Sequence, residues 1–129
     1  MSSLKSSKGN ILVIENERLM RALVERLLKR RGFEVMSAAS GASGIKAFVS
    51  WWPDLVICDM HLPDMSTSEI LSALGRLHSE AVIILISGYA SEYEVEEGFR
   101  LGAAGYLVKS FDNDDFVRNV ESFIKRCSS

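Results

Sequence analysis

The run Leu55-Val56-Ile57-Cys58 constrains this chain most: it is unbroken, apolar and of strand length, and it stops on a carboxylate, Asp59. Pro63-Asp64 turns the chain a few residues later, which puts Asp59 at the carboxyl end of a buried strand. Other apolar runs end on polar residues in the same way. Ile11 to Ile14 leads into Glu15-Asn16, Val82 to Ile86 into Ser87, and Tyr106 to Val108 into Lys109. Strands this uniformly apolar belong to parallel sheets covered on both faces. Open sheets of that kind bind ligands along the carboxyl edge of their strands, where the strand order reverses. With the runs as parallel neighbours, acid, hydroxyl and ammonium groups converge on Asp59.

The segments between the runs carry helical spacing. Residues 1–9, rich in Ser and Lys, read as a flexible leader, and residues 10–127 as one domain. After a first strand at Asn10 to Ile14, the stretch from Glu17 to Arg31 places Met20, Leu23, Val24, Leu27 and Leu28 on one helical face, and Gly32 ends it. Phe33 to Ala38 is a short strand, followed by a helix through Ile45, Phe48 and Val49 in spite of Gly41 and Gly44. Pro53 closes that helix by disfavouring helical geometry at Trp52. Ser66 with Glu69, and Ser91 with Glu94, have the spacing of capping boxes. The first opens a helix with Ile70, Leu71, Leu74 and Leu77 on one side. The second opens one with an acidic outer face, Glu92, Glu94, Glu96 and Glu97, and with Val95 and Phe99 as its apolar contacts. Strands at Ala81 to Ile86 and Ala104 to Val108 and a terminal helix from Asp112 or Asn113, packing through Phe116, Val117, Val120 and Ile124, complete the pattern. Five strands alternating with five helices, joined by right-handed crossovers, favour strand order 2-1-3-4-5. That order sets strands 1 and 3 side by side, so Glu15, Asn16 and Asp59 become neighbours.

Composition narrows the function classes. A length of 129 residues is one domain with a sizeable core, and 47% hydrophobic with 25% charged residues is the balance of a folded globular protein. Net charge −2 argues against a nucleic-acid surface, and no apolar run is long enough to span a bilayer or act as a secretion signal. Two cysteines, Cys58 and Cys127, make no disulfide framework and are expected as free thiols in a cytoplasmic protein.

Four segments, Ile11 to Glu17, Asp54 to Met65, Ile84 to Ala90 and Gly102 to Lys109, in this order at strand ends, resemble the receiver domain of bacterial two-component response regulators. The resemblance covers residues 10 to 126 and implies an α/β, single flavodoxin-like (βα)5 domain, CheY-like, with a parallel five-stranded sheet and helices on both faces. It implies that Asp59 accepts a phosphoryl group from a phosphohistidine on a sensor histidine kinase or phosphotransfer protein, and that Ser87 and Lys109 contact the phosphoryl oxygens. Mg²⁺ would be held by the acidic pair after the first strand, by Asp59 and by the backbone carbonyl of His61. Ser87 and Tyr106 would act as the switch, altering a face made by the fourth helix, last strand and terminal helix for a downstream target, an effector domain or a homodimer partner. Such a domain is a signalling module and not an enzyme.

The chain departs from that pattern at three places. Glu15-Asn16 stands where the family typically has two aspartates, which weakens the expected Mg²⁺ site. Thr67 replaces a usual glycine, and Ser110 replaces the proline that often follows the lysine through a cis bond; cis here would cost roughly 3 kcal/mol, so the lysine loop is expected to differ. These departures keep a second function open, a pseudo-receiver that docks a partner without phosphate. An aspartate-nucleophile phosphatase fits poorly, because His61 stands where a second acid is wanted, and no phosphate loop for a flavin follows the first strand. Bland roles remain for each residue. Asn16 is a good helix N-cap, Ser87 a strand-end hydroxyl, Lys109 a loop lysine, and Tyr106 an aromatic packed on the last helix. His61 and His78 are expected at the surface, His61 overhanging the site, and one of Trp51 and Trp52 is expected to pack and the other to lie exposed.

Overall fold

Parallel pairing links all five strands in the order β2-β1-β3-β4-β5 in the computed structural model, which describes residues 8–128 and their side chains through Lys125. The elements are β1 (Asn10–Ile14), α1 (Arg18–Arg30), β2 (Glu34–Ala38), α2 (Gly41–Trp51), β3 (Leu55–Asp59), α3 (Thr67–Leu77), β4 (Ile83–Ser87), α4 (Glu92–Arg100), β5 (Gly105–Val108) and α5 (Asn113–Ser128). All but the last two residues of the expected leader, and the side chain of Cys127, lie outside the described residues. Among those residues, no helix is long and apolar enough to cross a membrane. The strands are shorter than their apolar runs by a residue or two: Phe33, Ala81, Val82 and Ala104 lead into strands without belonging to them.

The apolar runs are continuous because alternate residues feed different cores. Ile11, Val13, Leu55, Ile57, Ile84 and Ile86 pack under α1 and α5 against Val24, Leu28, Phe116, Val117 and Val120. Leu12, Ile14, Val56, Cys58, Ile83 and Leu85 pack on the other face against Phe48, Ile70, Leu71 and Leu74. The same alternation, carried one step past the cores, puts Glu15, Asp59 and Lys109 in phase with the first face. Ser87 and Tyr106 are in phase with the second.

Several expected contacts are replaced. Gly41 and Gly44 are buried, and α2 is built on them: a Cβ at Gly44 would lie 2.5 Å from Cδ1 of Ile14, so only glycine lets the helix approach the sheet so closely. Gly98 is the buried residue of α4, where a Cβ would lie 2.5 Å from Cδ1 of Leu85, the movable end of that side chain. Val49, Leu77 and Phe99, expected on buried faces, are exposed. The glycine-mediated approach spares α4 a large apolar anchor such as Phe99. Both capping boxes form, at Ser66 with Glu69 and Ser91 with Glu94, and a third joins Ser40 to Ser43. Trp52 adopts a left-handed backbone (φ 50°) ahead of Pro53 and is exposed, whereas Trp51 packs against the second core. Asn16 does not cap α1; Glu17 holds the cap position, without a side-chain capping bond.

Candidate functional site

Asp59 ends β3 and is 4% exposed, so both carboxylate oxygens need partners within the protein. Oδ1 accepts from the backbone N–H of His61 at 3.0 Å, which the turn after β3 delivers. Oδ2 accepts from Nζ of Lys109 at 3.3 Å. Lys109 arrives from β5, tied to β4 by its N–H to the Ser87 carbonyl at 2.8 Å. Its ammonium also donates to Oε2 of Glu15 at 3.1 Å and to Oε1 of Glu17 at 3.1 Å. One cation serves three carboxylates.

Glu15 is fully buried. Its Oε2 also accepts from the Glu17 N–H at 2.8 Å, while its Oε1 has no hydrogen bond and lies 3.1 Å from the Lys109 ammonium. Burial raises the Glu15 pKa above the ordinary carboxylate value; the Glu17 N–H works against that, and the nearby Asp59 charge adds to it. Burial also pulls the Lys109 ammonium down, but its bonds to Glu15 and Glu17 and the charges of Glu15 and Asp59 outweigh it, and its pKa is raised. From α1, Nη1 of Arg21 donates to the carbonyls of Glu15 (2.9 Å) and Asn16 (3.4 Å), pinning the loop that carries them.

Ser87 points elsewhere. Its Oγ donates to the Tyr89 carbonyl at 2.5 Å, accepts from the Tyr89 N–H at 3.1 Å, and lies 3.3 Å from Nδ1 of His61. The His61 ring stacks on Tyr89 with centroids 5.2 Å apart, and its Nε2 is 3.7 Å from Glu94 of α4. Tyr106 is half-buried and packs against the second core, not on the terminal helix. Thr67, in place of a glycine, donates from Oγ1 to the Met60 carbonyl at 3.0 Å and so ties the start of α3 to the end of β3. No described peptide bond is cis, so Ser110 follows Lys109 through a trans bond. His78 is at the surface, edge-on to Trp52.

An open pocket of about 230 Å³ is lined by Asn16, Glu17, Asp59, His61, Gly88, Tyr89 and Lys109. The structure thus brings Asp59, Glu15 and Lys109 into contact, sets Asn16 and His61 at the rim, holds Ser87 behind His61, and leaves Tyr106 outside the pocket. Sequence reasoning missed Glu17, Tyr89 and Glu94. Glu17 was legible only as a second acid two residues after Glu15; the turn that aims it at Lys109 is set by the Glu15 side chain.

The family described as the response regulator receiver domain matches residues 11–121. The chain belongs to the response regulator receiver domain family. It is 28% identical over 116 residues to the cell cycle response regulators CtrA of Brucella ovis and Brucella anthropi, covering 90% of this chain and 50% of each relative. The chain therefore spans about half the length of these relatives. A receiver domain protein from Clostridium thermocellum superposes with a TM-score of 0.84 at 28% identity, covering 91% of this chain and 94% of that one. A CheY-like receiver domain from Methanospirillum hungatei has a TM-score of 0.87 at 24% identity, over 92% of this chain and 95% of that one, a likeness of fold. The receiver is thus a flavodoxin-like domain of two-component signalling.

Receivers generally bind Mg²⁺ at the acidic site. Among the described residues no three His, Cys, Asp or Glu side chains form a ready metal cluster. Mg²⁺ does not require one, since it keeps several waters and takes one or two carboxylates. Asp59 and Glu15 are such carboxylates, and the buried Oε1 of Glu15 accepts no hydrogen bond, with the Lys109 ammonium 3.1 Å away. The residues fit the ion.

Proposed function

We propose that this receiver, residues 10–127, accepts a phosphoryl group on Asp59 from a phosphohistidine of a sensor histidine kinase or phosphotransfer protein and passes the change to a protein-interaction surface. One observation carries the proposal: a nearly buried strand-end carboxylate, Asp59, opens on a pocket with the Lys109 ammonium 3.3 Å away. A carboxylate oxygen of Asp59 attacks phosphorus, the phosphorus–nitrogen bond of the donor breaks, and the departing imidazole takes its proton from solvent. Phosphoryl transfer is catalysed mostly by positioning and charge neutralisation. Lys109 supplies a fixed positive charge, and the His61 N–H holds the Asp59 carboxylate in place. Mg²⁺, held by Glu15, Asp59 and the His61 carbonyl with Asn16 at the rim, would supply the further positive charge that offsets the phosphoryl oxygens.

Ser87 must leave the Tyr89 carbonyl to reach a phosphoryl group on Asp59. That exchange, with Tyr106 in the same sheet phase, biases the face of α4, β5 and α5 toward a downstream target, an effector domain or a second copy. A cytoplasmic, non-enzymatic regulator that does not itself bind nucleic acid is the matching role.

Asn16 favours a second reading, a phosphate-independent docking module. Labelling with radioactive acetyl phosphate across a Mg²⁺ titration, with Asp59→Ala as control, separates the two. Metal-dependent labelling that is lost in the control supports the first. Absence of labelling at saturating Mg²⁺, restored by Asn16→Asp, supports the second.

A further inference from the structure

We propose that Glu17 supplies to the metal site the negative charge that Asn16 lacks. The inference rests on the proposed phosphoryl-accepting role of the site and adds a residue to it. Three observations carry it. Glu17 lines the same pocket as Asp59 and Asn16. Its Oε1 and Oδ2 of Asp59 are within 3.1 Å and 3.3 Å of the same Lys109 ammonium, so the two carboxylates are close neighbours on either side of one cation. The fully buried Glu15 turns an oxygen without a hydrogen bond toward this same ammonium, so three carboxylates and one ammonium meet beside the pocket and leave an excess of negative charge there.

The backbone explains the displacement by one residue. The Glu17 N–H is held by Oε2 of Glu15 at 2.8 Å, and the Asn16 carbonyl is held from the other side by Arg21. These two bonds set the turn so that the Glu17 side chain, not the Asn16 side chain, meets the Lys109 ammonium. Mg²⁺ keeps much of its water, so a carboxylate at Glu17 need not enter its inner shell; charge felt through a bound water is sufficient. Glu17 is well exposed, at 63% for its side chain, and its replacement by glutamine leaves the core untouched.

The test is the affinity for Mg²⁺ measured by titration calorimetry, which needs no phosphoryl donor. Glu17→Gln is expected to weaken binding about tenfold, the effect of one nearby charge on a divalent ion at a partly exposed site. Asn16→Asp in the Glu17→Gln background is expected to restore affinity to within about threefold of the natural protein, because it returns the same charge one residue earlier. To exclude an effect routed through Lys109, Glu17→Gln is repeated in a Lys109→Gln background, where the loss of affinity should persist. Unchanged affinity in Glu17→Gln, or a loss that vanishes when Lys109 is absent, overturns the proposal. A natural protein that binds no Mg²⁺ and takes no label from acetyl phosphate overturns the underlying function instead, so the two failures are distinguishable.

Discussion

Lys109 shows how much one side chain can hold. Its ammonium pairs with three carboxylates, two from the loop after β1 and one at the end of β3, at 3.1 to 3.3 Å, and two of those carboxylates are buried. Removing one partner of a buried pair strands the other. Lys109→Met should therefore lower the unfolding free energy by about 3 kcal/mol in urea denaturation, and adding Glu15→Gln should recover most of that loss. If the double variant is no more stable than the single one, the cost lies in packing of the lysine stem. Cys58, beside Asp59, is not a second nucleophile: full burial raises its thiol pKa far above the ordinary value and keeps it protonated. Residue identity at these positions was readable from strand ends. Their contacts were not, because a lysine of this length reaches several places and only the fold chooses among them.

At the scale of elements, the helices are placed by caps and by what their inner faces lack. The start of α2 is held by Ser40 and Ser43 and also, across the molecule, by the Asp64 carboxylate, which accepts from Gly41 N–H at 2.8 Å and Ala42 N–H at 2.9 Å. The Ala42 bond, then the Gly41 bond, lowers the Asp64 pKa below its ordinary value. A carboxyl group depressed on folding adds stability above its unfolded pKa and loses it as pH falls through the folded value. Asp64→Asn should thus lower the melting temperature at pH 7, and its gap to the natural protein should narrow below about pH 4; a gap constant with pH would remove Asp64 from this role. Acids also gather in the first turns of α3, α4 and α5, and bases in the last turns of α1, α3 and α4, complementing the helix dipoles. Since α3, α4 and α5 start at the edge of the sheet that carries Asp59, their acids add negative charge to that edge, while α1 and α2 bring none in their first turns. An anionic phosphoryl donor meets repulsion there, which is why the proposed chemistry depends on Lys109 and a divalent ion.

For the whole molecule, both cores share the same strands, so neither can be lost without the other. Urea unfolding followed by tryptophan fluorescence and by far-ultraviolet circular dichroism should give coincident transitions; two separated midpoints would mean that the faces come apart independently. The sequence by itself determined the strand order, the alternation of helices and the residues at the carboxyl edge, because those follow from local periodicity and from the chirality of crossovers. It also showed the departure at Asn16. Only the tertiary structure decided that α2 and α4 approach the sheet through Gly44 and Gly98, leaving Val49 and Phe99 at the surface, since close approach depends on which atoms face each other across the gap. The same holds for the site, where the turn after β1 aims Glu17 at Lys109 and the turn after β4 holds Ser87 on Tyr89. Those directions are fixed by hydrogen bonds between residues from different parts of the chain, and no spacing along one segment encodes them.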